Sequence, residues 1–152
     1  SMVWVDGARA EMDALDPALT DLRRLAVADR SFATALPGQP SLAPGDTIYM
    51  TYYSPNTLKY HVSTAAGGVG VFSEVYFPWG WKATVDGNEV PLARVNYILR
   101  ALAIPAGSHE IVMTFAPESV RRSSAAAYAC VTLIYLLLAA GIFVECRRWR
   151  LF

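Results

Sequence analysis

Cysteine is scarce in this chain, and the little there is lies near the C-terminus. Residues 1–124 contain none, and Cys130 and Cys146 belong to one long apolar segment and its flank. They are sixteen residues apart in sequence, which on one helix is roughly 24 Å and too far for a disulfide. The N-terminal part must therefore fold without disulfides, and this leaves its compartment open.

The chain also lacks the patterns that metal, nucleotide and nucleic-acid sites need. Its two histidines, His61 and His109, fall in different predicted strands or turns with no cysteine at ligand spacing, so we predict no zinc site and no cofactor. The glycine-rich run at residues 67–70 has no helix after it, which favours a turn over a phosphate loop. The formal net charge is zero without a basic block, so nucleic acid is not an expected partner.

Catalytic groups are equally scarce, and no Gly-x-Ser-x-Gly nucleophile elbow is present. Two carboxylates, Glu74 and Asp86, flank an aromatic loop, and a converging pair of this kind would suit glycoside hydrolysis. Local roles are the stronger interpretation. Asp86 with Gly87 supplies the positive φ angles of a tight hairpin turn. Glu74 is a candidate cross-strand partner of Arg94 or Arg100.

Apolar sequence, in contrast, is abundant at the C-terminal end. The segment from Ala125 to Val144 carries no charge. Its length of about 20 residues would reach roughly 30 Å as a helix, the thickness of the hydrocarbon core of a bilayer. We therefore predict a transmembrane helix and a lipid bilayer as a partner. Three arginines follow this segment and two precede it, namely Arg147, Arg148 and Arg150 against Arg121 and Arg122. This excess predicts a cytoplasmic C-terminus and a globular part outside the cytoplasm.

The beginning of the chain suggests that it is part of a longer protein. It starts abruptly at a strand candidate, Val3–Val5, and no export signal precedes the globular part. We therefore expect further transmembrane helices upstream. The face of the C-terminal helix that carries Tyr128, Thr132 and Tyr135 is expected to pack on those helices rather than on lipid.

The first third of the chain has a mixed composition. The elements predicted there are a strand at Val3–Val5, a helix from Ala8 to Leu15, a second short helix from Pro17 capped by Asp16, and a strand at Leu25–Ala28. The stretch from Ala35 to Asp46 is rich in proline and glycine. This composition predicts an exposed connection to the main body.

From Thr47 onward, apolar residues recur at every second position, as in half-buried strands. The clearest series are Ile48, Met50 and Tyr52, followed by Leu58, Tyr60 and Val62. Predicted strands recur about every 8–12 residues with turn residues between them, which is typical of an antiparallel β-sandwich or jelly roll. The fold prediction is a mainly β protein with short N-terminal helices and a C-terminal transmembrane helix. The predicted parts are an N-terminal subsegment 1–46, a β-sandwich body 47–118, a tether 119–124, the transmembrane helix 125–145 and a cytoplasmic tail 146–152.

One segment of this body, residues 76–81, is unusually aromatic. It contains Tyr76, Phe77, Trp79 and Trp81. Aromatic rings stack on the apolar C–H faces of sugars, so Tyr76, Trp79 and Trp81 are candidate carbohydrate-binding residues. The alternatives are that the rings lie in the headgroup zone of a membrane, or that Trp81 closes the sandwich core with Tyr76 and Phe77 packed nearby.

Several segments resemble one known family. They are Ser73-Glu-Val-Tyr-Phe-Pro-Trp-Gly-Trp-Lys-Ala-Thr-Val-Asp-Gly87, Arg94-Val-Asn-Tyr-Ile-Leu-Arg100, Ile104-Pro-Ala-Gly-Ser-His109 and Leu58-Lys-Tyr-His-Val62. In order and spacing they resemble the C-terminal region of the YfhO family, which are bacterial polytopic membrane proteins similar to glycosyltransferases that use lipid-linked sugars. The resemblance covers most of residues 1–145 and is weakest before Thr47.

The resemblance implies an extracytoplasmic β-rich domain ahead of the last helix of a protein of the bacterial cytoplasmic membrane. The family's catalytic acid resembles an Asp or Glu in an early loop that this chain does not contain, so no catalytic residue is carried over. The motif residues that are carried over, with architectural roles, are Glu74, Trp81, Asp86, Asn96, Tyr97, Arg100 and His109. Asn96 and Tyr97 are expected to anchor a strand entry, and Arg100 is expected to pair with Glu74.

These observations together predict an accessory domain of a membrane glycosyltransferase. The domain would be inactive alone, and it would serve the modification of cell-envelope glycan. Its expected partners are the bilayer, the remaining transmembrane helices of the parent protein and a glycan. The alternatives are a membrane-anchored carbohydrate-binding sandwich and a purely structural or adhesin-like domain.

Overall fold

The alternating segments from Thr47 onward form antiparallel strands, which confirms the predicted fold class. A computed structural model describes residues 2–22, 25–37 and 43–149. The elements in chain order are β1 (Met2–Val5), α1 (Ala8–Asp13), β2 (Ala26–Asp29), a 3-10 helix (Arg30–Phe32), β3 (Thr47–Ser54), β4 (Thr57–Thr64), β5 (Gly68–Val75), β6 (Trp81–Val85), β7 (Asn88–Val90), β8 (Ala93–Val95), β9 (Leu99–Ile104), β10 (Gly107–Phe115) and α2 (Glu118–Trp149). The chain divides into two units, Ser1–Phe115 and Ala116–Phe152.

Two antiparallel sheets form the body of the first unit. One has five strands in the order β3-β4-β10-β6-β7, and the other has three in the order β5-β9-β8. Apolar side chains from both sheets form a shared buried core, which comprises Leu58, Tyr60, Val62, Phe72, Ala83, Val85, Leu102, Ile104, Ile111 and Met113. This arrangement is a β-sandwich, because each sheet buries one apolar face against the other.

The N-terminal segment packs on the outer face of the smaller sheet. Strands β1 and β2 pair in parallel, with α1 in the connection between them. A second buried cluster joins β2 and Leu36 to β8 and β9, with Ala26, Ala28, Leu36, Ala93, Val95 and Ala101 as its members. Successive β9 side chains therefore face different cores, since Arg100 and Leu102 point to the larger sheet while Ala101 points to the N-terminal segment.

The second short helix predicted from Pro17 is not formed. Residues 17–19 make a single turn, in which Asp16 accepts hydrogen bonds from the N–H groups of Ala18, Leu19 and Thr20. These turn residues are exposed, and a short helix without a buried face is not stable by itself. A 3-10 helix occurs instead at Arg30–Phe32, where the carboxylate of Asp29 accepts a hydrogen bond from the N–H of Ser31.

The side chains of strand β3 do not alternate regularly between the two faces of the sheet, although the sequence pattern predicted that they would. A bulge lies between Met50, opposite Tyr60, and Tyr52, opposite Lys59. Because Tyr60 and Lys59 point to opposite faces of β4, Met50 and Tyr52 also point to opposite faces. The strand is also an edge strand, and its large side chains on both faces are exposed.

The second unit is the long helix α2. Its candidate membrane span is Glu118–Arg148, with a mean hydropathy of 2.3 and no part of the most apolar window buried. Residues 119–124, expected as a tether, belong to this helix, and the carboxylate of Glu118 pairs with Arg121 and Arg122. The hydroxyl of Thr132 donates to the carbonyl of Tyr128 at 2.8 Å, which satisfies its polar group within the helix.

Candidate functional site

The aromatic loop between β5 and β6 contains the most exposed tryptophan outside the helix. Trp79 is 73% exposed, and its ring meets the half-exposed ring of Phe77 edge-on at 5.2 Å between centroids. Phe77 in turn lies 6.4 Å from the ring of Phe115, the last residue of β10. The loop therefore presents Trp79 to the surroundings and is supported by the end of the central strand.

The other two candidate carbohydrate-binding residues lie in different surroundings. Trp81 is half-buried, with Phe115 at 5.3 Å and the guanidinium of Arg100 at 4.2 Å from its ring. Tyr76 packs edge-on against Phe32 at 5.6 Å. One face of the Trp81 indole is therefore taken by a cation, and only Trp79 of the three presents a largely free ring among the described residues.

Arg100 is buried to an unusual degree for an arginine, at 2% exposed. Its Nη2 donates to the carbonyl of Val75 at 3.0 Å, and its Nη1 lies 3.4 Å from the sulfur of Met113. Burial lowers the pKa of Arg100, and the nearby charge of Glu74 acts in the opposite direction. The side chain thus links β5, β10 and the Trp81 ring inside the sandwich.

The expected direct pair between Glu74 and an arginine is not formed. Oε1 of Glu74 accepts a hydrogen bond from the Tyr60 hydroxyl at 2.7 Å, and burial together with this contact raises the pKa of Tyr60. Arg94 pairs with Glu11, and within the described part of the chain no ion pair joins Glu74 to Arg100. Glu74 lies within the stretch of β5 where the register with β9 shifts, between Phe72 and Val75.

Asn96 and Tyr97 lie at the junction between the smaller sheet and the N-terminal segment. Both have positive φ angles, of 49° and 70°. The backbone N–H of Asn96 donates to Val27 at 2.7 Å, and its side-chain oxygen accepts from the N–H of Val27 at 2.8 Å. Asn96 tolerates the left-handed conformation better than most residues, so this asparagine suits both the turn and the contact.

Glu11 is the ion-pair partner of Arg94, and no pattern in the amino-acid sequence indicated it. Its side chain is completely buried, where it accepts from Arg94 Nη2 at 2.8 Å and from the N–H of Tyr97 at 2.9 Å. The guanidinium of Arg94 also lies 5.7 Å from the Tyr97 ring. No local pattern indicated this role, because the partners are more than eighty residues away in sequence.

Asp86 and His109 connect two turns of the sandwich. Nδ1 of His109 lies 2.6 Å from Asp86 Oδ2, and Asp86 Oδ1 accepts from the N–H of Glu110 at 2.9 Å. Asp86 makes these contacts at the predicted hairpin turn, where Asp86 and Gly87 both have positive φ. Glu74 and Asp86 thus have separate partners, and no cluster of three or more potential metal ligands occurs in the described residues.

The fold and these contacts define a class of protein: a β-sandwich followed directly by a helix that is long and apolar enough to span a membrane. A family model described as bacterial membrane protein YfhO matches residues 46–125. The chain therefore belongs to the YfhO family of bacterial membrane proteins. No match was found among curated proteins or among solved structures.

Proposed function

We propose that this chain is the extracytoplasmic, C-terminal accessory domain of a polytopic membrane glycosyltransferase that uses lipid-linked sugar to modify cell-envelope glycan. In this proposal the sandwich body begins at residue 47 and ends before α2, and the described part of the N-terminal subsegment packs on it. The observation that carries the proposal is membership of the YfhO family. It is supported by the motif residues, which are engaged in contacts with other parts of the domain.

The character of those contacts supports an architectural role for the motif. Arg100 is buried beneath Trp81, Asn96 binds the N-terminal segment, and His109 binds Asp86. Groups that perform general acid–base catalysis must reach a substrate, and these side chains are occupied by other parts of the fold. Catalysis is therefore assigned to the parent protein's other segments, and this domain stabilises the parent or holds its acceptor.

Complementation of a strain that lacks the parent gene tests this assignment. The full-length parent should restore glycan modification, whereas the present chain alone should restore none even when it is inserted in the membrane. Arg94→Ala in the full-length parent should reduce the amount of folded protein, while Arg30→Ala, which removes an exposed ion pair, should not. Modification by the present chain alone would overturn the proposal.

Carbohydrate binding is a second candidate function, and the exposure of Trp79 is the observation in its favour. A single free indole can stack on one sugar ring, although Trp81 no longer offers an open second platform. Titration of the chain with envelope oligosaccharides tests this function. Binding that is lost in Trp79→Ala but retained in Tyr53→Ala, another exposed aromatic, would support it. If no oligosaccharide binds, carbohydrate binding is ruled out and the structural role of the domain remains.

A further inference from the structure

Several exposed apolar residues lie on and beside the aromatic loop, and we call this group the loop patch. Its members are Val75, Phe77, Trp79 and Ile98, all of them exposed. Their backbone segments are adjacent, because Val75 pairs with Leu99 across the sheet and the N–H of Tyr76 donates to the carbonyl of Ile98 at 2.7 Å. The rings of Phe77 and Trp79 are in contact. An exposed cluster of large apolar side chains rimming one end of a domain marks an interaction site.

The loop patch lies at the end of the sandwich from which the chain leads to the membrane span. Phe77 contacts Phe115, and α2 begins three residues later at Glu118. Those three residues extend at most about 10 Å. The seven helical rises from Glu118 to Ala125 add about 10 Å more. Phe115 therefore lies within about 20 Å of the apolar run whatever the arrangement of the two units, because the bound follows from chain length.

The chemistry of the patch favours lipid over sugar. A sugar site needs polar groups beside the stacked ring to bind the hydroxyls. The neighbours of Trp79 in the patch are instead phenylalanine, valine and isoleucine. Tryptophan and other aromatic rings are enriched at the headgroup level of membranes, where an apolar ring and a polar N–H are both accommodated. On the sandwich side of the apolar run the nearest charges are Arg121 and Arg122, both paired with Glu118. Arginines at this level suit the phosphates of the same zone.

We propose that the loop patch is a membrane-docking surface, which inserts Trp79 and Phe77 into the headgroup zone of the bilayer that α2 spans. This second attachment holds the sandwich against the membrane and restricts its tilt relative to the bilayer. The proposal concerns lipid contact alone, so it stands or falls separately from the assignment to a glycosyltransferase.

Depth-dependent quenching of tryptophan fluorescence tests the proposal with the full chain. The chain is reconstituted in vesicles of phosphatidylethanolamine and phosphatidylglycerol, with and without a nitroxide on the lipid headgroup. The difference between the wild type and Trp79→Phe isolates the signal of Trp79. We expect strong quenching of that signal, at least twofold, and a shift of its emission to shorter wavelength.

A relocated reporter is the matched control. Ser63 is exposed and pairs with Ser108, seven residues before Phe115 on β10, which is about 24 Å along the strand. In the double variant Trp79→Phe/Ser63→Trp, the new indole should be quenched much less than Trp79. Circular dichroism checks that both variants fold. Equal quenching at both positions, or none at Trp79, overturns the proposal. If the headgroup nitroxide does not quench Trp79 but added oligosaccharide changes its emission, the result would likewise overturn the proposal in favour of a sugar site.

Discussion

Both ring nitrogens of His109 face hydrogen-bond acceptors, and the stronger contact is with Asp86. Nδ1 lies 2.6 Å from Oδ2 of Asp86, and Nε2 lies 3.1 Å from the carbonyl oxygen of Ala106. A neutral imidazole can donate from one nitrogen only, so this geometry favours the doubly protonated ring. The hydrogen bond that Nδ1 of His109 donates to Asp86 raises the pKa of His109, and the same bond lowers the pKa of Asp86.

The pair predicts a defined dependence of stability on pH. The contribution of His109 is fully present below its ordinary pKa of 6.5 and is lost as pH rises through its raised folded-state pKa. The contribution of Asp86 is present above its ordinary pKa of 3.8 and is lost as pH falls through its lowered folded-state pKa. Denaturant unfolding of the chain in micelles should therefore show the pair's largest contribution between these two values.

Asp86→Asn is the matched control for that measurement. The amide keeps an oxygen for the N–H of Glu110 but loses the charge that holds the imidazolium. The variant should lose less stability than the wild type as pH rises above 6.5. In a His61→Gln background, His109 is the only histidine, so its titration by NMR can be read directly. A pKa for His109 at or below 6.5 would contradict the prediction.

The residue types at the β6–β7 hairpin correctly predicted its turn. The Asp86-Gly87 turn has the positive φ angles that the residue types indicated, and the flanking strands β6 and β7 pair across it. The strand pattern of β4 was equally informative, since Leu58, Tyr60 and Val62 are all buried. In both cases the information lies within a few residues of sequence, and so a pattern can carry it.

Arg94 and Glu11 allow a prediction about the N-terminal segment. Arg94→Ala should cost about 3–5 kcal/mol of unfolding free energy, because it leaves the completely buried carboxylate of Glu11 without its cation. Glu11→Gln should cost less, about 1–2 kcal/mol, because Arg94 retains contact with solvent and the amide still fills the site. Arg30→Ala, which removes an exposed pair with Asp6, should cost about 0–1 kcal/mol.

Urea unfolding followed by intrinsic fluorescence measures these differences. Limited proteolysis adds a local readout, since Arg94→Ala should expose the N-terminal segment to cleavage before the sandwich itself. If Arg94→Ala proves no more costly than Arg30→Ala, the buried pair does not anchor this segment.

The features that were not predicted depend on partners far away in sequence. Glu11 resembles an ordinary charge on a short helix, and its burial follows from Arg94 and Tyr97 on the other side of the second core. Strand β3 is exposed because it lies at the edge of the five-stranded sheet, and the opposing sheet has only three strands. The periodicity of apolar residues within a short segment depends neither on the width of the opposing sheet nor on a distant ion pair, so it cannot predict them.

The glycine run at residues 67–70 provides a test of its structural role. Gly67 has a φ of +73°, and a Cβ there would lie 2.7 Å from the carbonyl oxygen of Ile104. Gly67→Ala therefore combines backbone strain with a clash against backbone, and we expect it to cost at least about 2 kcal/mol. Gly87→Ala is the control, because its φ is +84° but nothing lies within 4 Å, so only the strain of about 1 kcal/mol remains. Thermal unfolding that ranks Gly87→Ala as the costlier change would refute this account.

The two native cysteines make the membrane orientation testable. Cys130 lies in the apolar run of α2, whereas Cys146 lies near its arginine-rich end. With a cytoplasmic C-terminus, a membrane-impermeant maleimide applied to intact spheroplasts should leave the wild type unlabelled, and lysis should allow labelling of Cys146. The variant Cys146→Ser/Ser63→Cys moves the reactive thiol to an exposed position on β4, which should be labelled without lysis. The reverse pattern would place the sandwich in the cytoplasm, and the proposed extracytoplasmic role would then be wrong.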